Sequence, residues 1–177
     1  MSDKYKTESG KLYYATVTVV GWIDVFTRKE YVNELINNLK YCQENKGLEL
    51  YAYVIMSNHF HIIARCNNQP LNYLLGSLKS NTSKKLIKQI DENSKESRKE
   101  WLLYMFNYFG KGNSQNEEYQ FWQKGNHPIE LWSEEAIKQK INYLHNNPVK
   151  QGIVARPEDY LYSSANAFSE LKMLDLG

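Results

Sequence analysis

The stretch SNHFHII, residues 57–63, places His59 and His61 one residue apart in an apolar run, using two of the 4 histidines in 177 residues. Side chains of a strand alternate between its faces with period two, so both imidazoles would leave one face, close enough to grip one cation. Two imidazoles are half a metal site. A divalent ion needs further protein ligands, or substrate oxygens and water. The same pair could also sit hydrogen-bonded at a sheet surface with no ion between the rings. A second group, INYLHNNPVK at residues 141–150, sets Tyr143 and Asn147 four apart, on one face of a helix. Tyr143 lies beside the apolar stripe of Ile137, Ile141 and Leu144 rather than within it. It reads either as a nucleophile next to a metal ligand or as a rim tyrosine covering the core.

The two groups suit one chemistry. A phenol with a pKa near 10 is a poor nucleophile until something helps it lose its proton. Bound Mg2+ or Mn2+ can instead polarise a phosphodiester and favour the alkoxide leaving group. Tyrosine attack on a DNA phosphate gives a phosphotyrosine ester and a free hydroxyl. The ester keeps the bond energy and can later be attacked by another DNA end, which suits strand transfer better than hydrolysis. The strand must be exposed and in line, which favours single-stranded or hairpin DNA.

Positioning these groups requires a scaffold. LYYATVTVV (residues 12–20) is rich in β-branched and aromatic residues and reads as a strand. TRKE at 27–30 has the form of a capping box, and the helical spacing of Val32, Leu35, Ile36 and Leu39 up to Gly47 predicts a helix after it. LELYAYVIM (48–56), the turn formers Ser57 and Asn58, and HFHIIAR (59–65) predict a hairpin with His59, His61, Ile63 and Arg65 on one face. Leu71, Leu74, Leu75, Leu78, Leu86 and Ile90 mark a long helix, and a second box at Ser97–Glu100 begins another through WLLYMF. Residues 110–118 read as a mobile linker, and YQFWQ (119–123) as a short strand that IELW resumes. Ser133, followed by Glu134 and Glu135, is an N-cap, and Pro148 should end the last helix near Asn146. The pattern is α+β in one domain over 1–177, with an antiparallel sheet and helices on it.

Composition bounds the partners. The hydrophobic fraction is 42% and the charged fraction 24%, ordinary for a globular protein. No apolar run is long enough to span a bilayer and the first residues are polar, so the expectation is a cytoplasmic protein with no membrane partner. Cys42 and Cys66 have no disulfide or zinc spacing and read as reduced. Net charge is only +2, but Lys79, Lys84, Lys85 and Lys88 crowd one stretch. They form a phosphate-facing patch or a solvated helix face. Arg65, on the histidine face, and Lys140, one turn before Tyr143, are further candidate DNA contacts. Aromatics at 14% offer stacking platforms or core rims.

YVIMSNHFHII, YQFWQKGNHPIELW and YLHNNPVKQGIVARPEDYLYSS, in that order, resemble the REP-associated tyrosine transposases, single-tyrosine HUH transposases of bacterial insertion sequences. The resemblance runs from about Tyr13 to Ser164. It implies a ferredoxin-like fold with the histidines on a central strand. It implies a divalent cation on His59 and His61, with Asn147 as third ligand. Tyr143 would make the 5′-phosphotyrosine link and release a 3′-OH, as a monomer or with sites shared in a homodimer. His145 is a contact candidate at most, and His127 a strand-end residue. Two other readings compete. A derived protein could hold structured single strands without cutting them, and a zinc hydrolase could use the HxH pair, although no HExxH partner is present.

Overall fold

In the computed structural model, which describes residues 6–111 and 118–175, the chain forms four strands and five α-helices. β1 (Tyr13–Thr18) leads through a 3-10 turn at Val20–Trp22 to α1 (Lys29–Asn45). β2 (Leu48–Ile55) and β3 (His59–Cys66) form the expected hairpin. α2 (Leu71–Glu92) and α3 (Lys99–Lys111) follow. β4 (Ile129–Glu130), α4 (Glu134–His145), α5 (Asn147–Lys150) and a 3-10 turn at Pro157–Asp159 complete the described elements. The sheet order is β2-β3-β1-β4 with every pair antiparallel, the βαββαβ arrangement of a ferredoxin-like sandwich.

Alternation along the strands divides the core in two. Ala15 and Val17 of β1 and Phe60, Ile62 and Ala64 of β3 face α1, α2 and α3. Leu35 and Leu39 of α1, Leu74 and Leu78 of α2 and Phe106 of α3 close over them. Tyr14, Ile63 and Val54 face the other way, where Leu144, Ile137 and Ile141 of α4 cover them. The register shift between Leu50 and Ala52 lets β2 keep one apolar set on each face. Gly47, at φ 72, ends α1 in the left-handed region that its missing Cβ permits. The β2 edge is closed by the tail. Ile55 N donates to Tyr162 O, Ser164 N to Tyr53 O and Leu174 N to Leu50 O, at 2.8–2.9 Å.

Two local expectations change. The box at Thr27–Glu30 does not form: Arg28 is the N-cap, with no side-chain cap bond, and the Thr27 hydroxyl accepts from Arg98 Nη2 at 3.2 Å. YQFWQ forms no strand of its own: it makes an isolated bridge, Trp122 with Val19, flanked by Val20 N to Phe121 O and Gln123 N to Thr18 O at 2.8 Å. α4 ends at His145 with Asn146 as its C-cap, where Pro148 was expected to stop it, and Pro148 then opens the separate short α5. Its missing N–H costs nothing in a first turn, where no intrahelical acceptor is due. The linker expected at 110–118 lies mostly outside the described residues. Cys42 and Cys66 are buried free thiols, and no described helix is long and apolar enough to cross a membrane.

Candidate active site

β3 lies inside the sheet, so its polar face has strand neighbours on both sides. Thr18 stands opposite His59, and Thr16 and Val54 stand opposite His61. Both histidines are nearly buried, at 7% and 6% exposure, with ring centroids 4.7 Å apart. Burial lowers the pKa of His59, and the nearby Asp24 charge only partly offsets this. Burial, His59 and Lys140 push His61 down to about 3. Both rings are therefore neutral at physiological pH, the form in which imidazole binds a metal.

Neighbouring groups fix which ring nitrogen is open. Asn58 Nδ2 donates to Trp22 O at 3.1 Å and to Asp24 Oδ1 at 3.0 Å, which turns Asn58 Oδ1 toward His59. His59 Nδ1 then donates to that oxygen at 2.7 Å, and Nε2 keeps its lone pair. His61 Nδ1 lies 2.8 Å from both Tyr14 Oη and Thr16 Oγ1, which leaves its Nε2 free of them. Burial pushes the Tyr14 hydroxyl up to about 12, so it stays protonated.

Tyr143 comes to this pair within a single chain. Ser133 starts α4 by accepting from Ala136 N at 3.2 Å, and Leu144 anchors the helix in the core. The Tyr143 ring stands edge-on to His61 at 6.0 Å and to Tyr14 at 6.3 Å, and is 42% exposed. Lys140 Nζ sits 4.8 Å from the Tyr14 ring centroid and 5.6 Å from that of Tyr143. Lys150 Nζ is 4.9 Å from Tyr143. The buried Asn147 donates Nδ2 to Tyr143 O at 3.1 Å, which leaves its amide oxygen as the group able to ligate. Neutral imidazole nitrogens and an amide oxygen are donor types that fit Mg2+ or Mn2+ with water or phosphate oxygens completing the shell. Among the described residues, no three His, Cys, Asp or Glu side chains gather as a metal cluster.

The remaining candidates are dispersed. Arg65 shares the histidine face but pairs with Glu49 and lies over Tyr51 at the far end of β3. Lys79, Lys84, Lys85 and Lys88 ride on α2, across the sheet from α4. Lys79 Nζ donates to Gln123 O at 2.5 Å and to Gly125 O and Asn126 Oδ1 at 3.2 Å, and burial pushes it down to about 8. Lys85 pairs with Glu34 at 3.0 Å and Lys88 with Glu92 at 3.7 Å. Lys79, Lys84 and Lys88 line a cavity of about 660 Å³ between α2 and residues 118–124. His145 turns to Ser164 Oγ at 2.8 Å, away from the pair.

Sequence reading missed Tyr14, Thr16, Asn58, Trp22 and Lys150. The first two had a signal: polar groups at alternate positions of an otherwise apolar strand.

A family model described as "Transposase IS200 like" matches residues 9–124, which include both histidines and stop short of Tyr143. A Haemophilus influenzae protein whose assigned name is REP-associated tyrosine transposase is 24% identical over 157 residues, covering 88% of this chain and 80% of that protein. Among solved structures, a REP-associated tyrosine transposase bound to a REP hairpin superposes with a TM-score of 0.54 at 16% identity. The match covers 93% of this chain and 82% of that one.

Proposed function

This chain belongs to the IS200-like transposase family, and from that premise we propose that it cuts and rejoins single-stranded or hairpin DNA through a 5′-phosphotyrosine on Tyr143. The observation that carries the reading is the Tyr143 ring 6.0 Å from His61 in the same protomer. One chain alone brings the Tyr143 ring beside the imidazole pair, which supports this tyrosine as the nucleophile whether or not two copies associate. Hairpin DNA as the substrate is taken from the two relatives, one assigned to the REP-associated transposases and one solved with a REP hairpin.

In this reading His59, His61 and Asn147 hold Mg2+ or Mn2+. The ion, when bound, polarises the scissile phosphodiester and steadies the departing 3′-oxygen. Lys140 and Lys150 draw the phosphate to the tyrosine. The Tyr143 oxygen bonds to phosphorus, the bond from phosphorus to the 3′-oxygen breaks, the phenol proton passes to water, and the 3′-oxygen gains a proton. Rejoining reverses this, with an incoming 3′-hydroxyl attacking the phosphotyrosine and releasing the phenol. Tyr14 and Thr16 hold the His61 ring, and Asn58 holds that of His59.

The test is incubation with labelled hairpin DNA and Mn2+ or Mg2+, resolved on a denaturing gel. A covalent adduct should form, vanish in Tyr143→Phe, and fall sharply with chelator. An adduct that persists in Tyr143→Phe removes the tyrosine from its role. Tight binding with no adduct under any metal leaves a hairpin-holding protein instead.

A further inference from the structure

We propose that Trp22 is a base-stacking platform that holds the nucleotide beside the scissile phosphate. The inference rests on the reading that a single strand crosses the histidine pair. Trp22 is 61% exposed, yet its ring stands edge-on to His59 with centroids 6.0 Å apart. Its backbone is in the left-handed region at φ 55, which disfavours a bulky side chain. An exposed tryptophan in a strained conformation contributes little to the fold from that position.

The backbone that carries the indole is held in place. The preceding Gly21, at φ 63, is pressed so closely on Phe109 of α3 that a Cβ there would lie 2.8 Å from the ring. Asn58 Nδ2 ties the Trp22 carbonyl, while Asn58 Oδ1 holds His59. Arg98 Nη1 fixes Asp24 O at 2.7 Å two residues on. One amide thus ties both the His59 ring and the backbone that carries the indole beside it.

Ring contacts run Trp22–His59, His59–His61 and His61–Tyr143, at 6.0, 4.7 and 6.0 Å. Trp22 and Tyr143 occupy the two ends of the pair. A phosphate presented to Tyr143 would direct a neighbouring base toward the indole. Stacking on an aromatic face tolerates any base, so Trp22 would set position rather than sequence.

The experiment uses the full chain carrying Tyr143→Phe, so that binding is read without chemistry. Affinity for a labelled hairpin with a single-stranded flank is measured, with one base at a time removed from the flank. The parent should show one position where base loss weakens binding roughly tenfold. Trp22→Gly should weaken binding to a similar degree and no longer sense that position, while Trp22→Phe keeps most of the effect. Glycine suits the backbone there, so the melting temperature of Trp22→Gly should equal or exceed the parent's. Unchanged affinity in Trp22→Gly, or a base-loss penalty that persists in it, overturns the proposal while leaving the tyrosine chemistry intact. A chain with Tyr143 intact that binds the hairpin but forms no adduct with Mn2+ or Mg2+ defeats that chemistry alone. Failure to bind any hairpin defeats both.

Discussion

His59 is oriented by an amide, where a carboxylate would have raised the ring's basicity. The amide holds the ring in one tautomer, while burial keeps it neutral against the Asp24 carboxylate one hydrogen bond further on. Asn58→Ala would free that ring to rotate, and Mn2+ affinity should fall about 10–100-fold. Titration followed by Mn2+ electron resonance would show it, and unchanged affinity would mean that strand geometry alone holds the ring. At this scale the sequence was legible wherever a period carries meaning. Alternation in β3 aligned His59 with His61, and the four-residue spacing brought Asn147 to the Tyr143 carbonyl, although α4 ends at His145 and Asn147 opens α5. Asn58 read only as a turn former, because nothing local shows that its amide bridges the segment at 22–24 to the histidine. Lys150 was hidden for a related reason: its approach to Tyr143 depends on α5, an extra turn that Pro148 argued against.

Elements are joined here by a buried carboxylate. Glu96 accepts from Arg28 Nε at 2.6 Å, at the start of α1, and from Arg98 N and Nε at 3.0 and 3.1 Å, just before α3. Burial alone would raise its pKa, but the bonds from Arg98 and Arg28 outweigh this and hold it down to about 2 from an ordinary 4.5. A carboxyl lowered on folding adds stability above about pH 4.5 and loses it as the pH falls toward 2. Glu96→Gln should cost about 2–3 kcal/mol at neutral pH, since it strips two guanidiniums of their counter-charge. Urea unfolding of parent and variant should show that gap closing on acidification, and a pH-independent gap would argue against an ionised Glu96. Helix and strand positions followed well from periodicity, because each buried stripe answers to the sheet beneath it. The failures came from competition over distance. Arg98 took the hydroxyl that the Thr27 box needed, and residues 121–123 meet the chain only at Thr18–Val20, too briefly to form the expected strand.

Across the whole molecule the sheet separates two charged regions. Lys140 and Lys150 stand over Tyr143, and the lysines of α2 lie on the other side. Charge along a sequence cannot reveal this, since it does not tell which face of a sheet a helix covers. Single-strand affinity should fall with salt, and Lys140→Gln should make the log–log slope shallower by about 0.7, one phosphate contact. Lys84→Gln should leave the slope unchanged if DNA stays on the histidine side. An equal loss in both variants would mean that the nucleic acid wraps to the second face.

The hydrogen bonds that run from Tyr162, Ser164 and Leu174 to β2 have a colloidal consequence. They occupy amides and carbonyls that would otherwise invite a like strand from another molecule. With β4 only two residues long on the opposite flank, the chain offers little template for runaway pairing. Trimming it before Tyr160 would leave the histidines and Tyr143 in the polypeptide but bare a sticky margin. Such a truncation would be expected to aggregate.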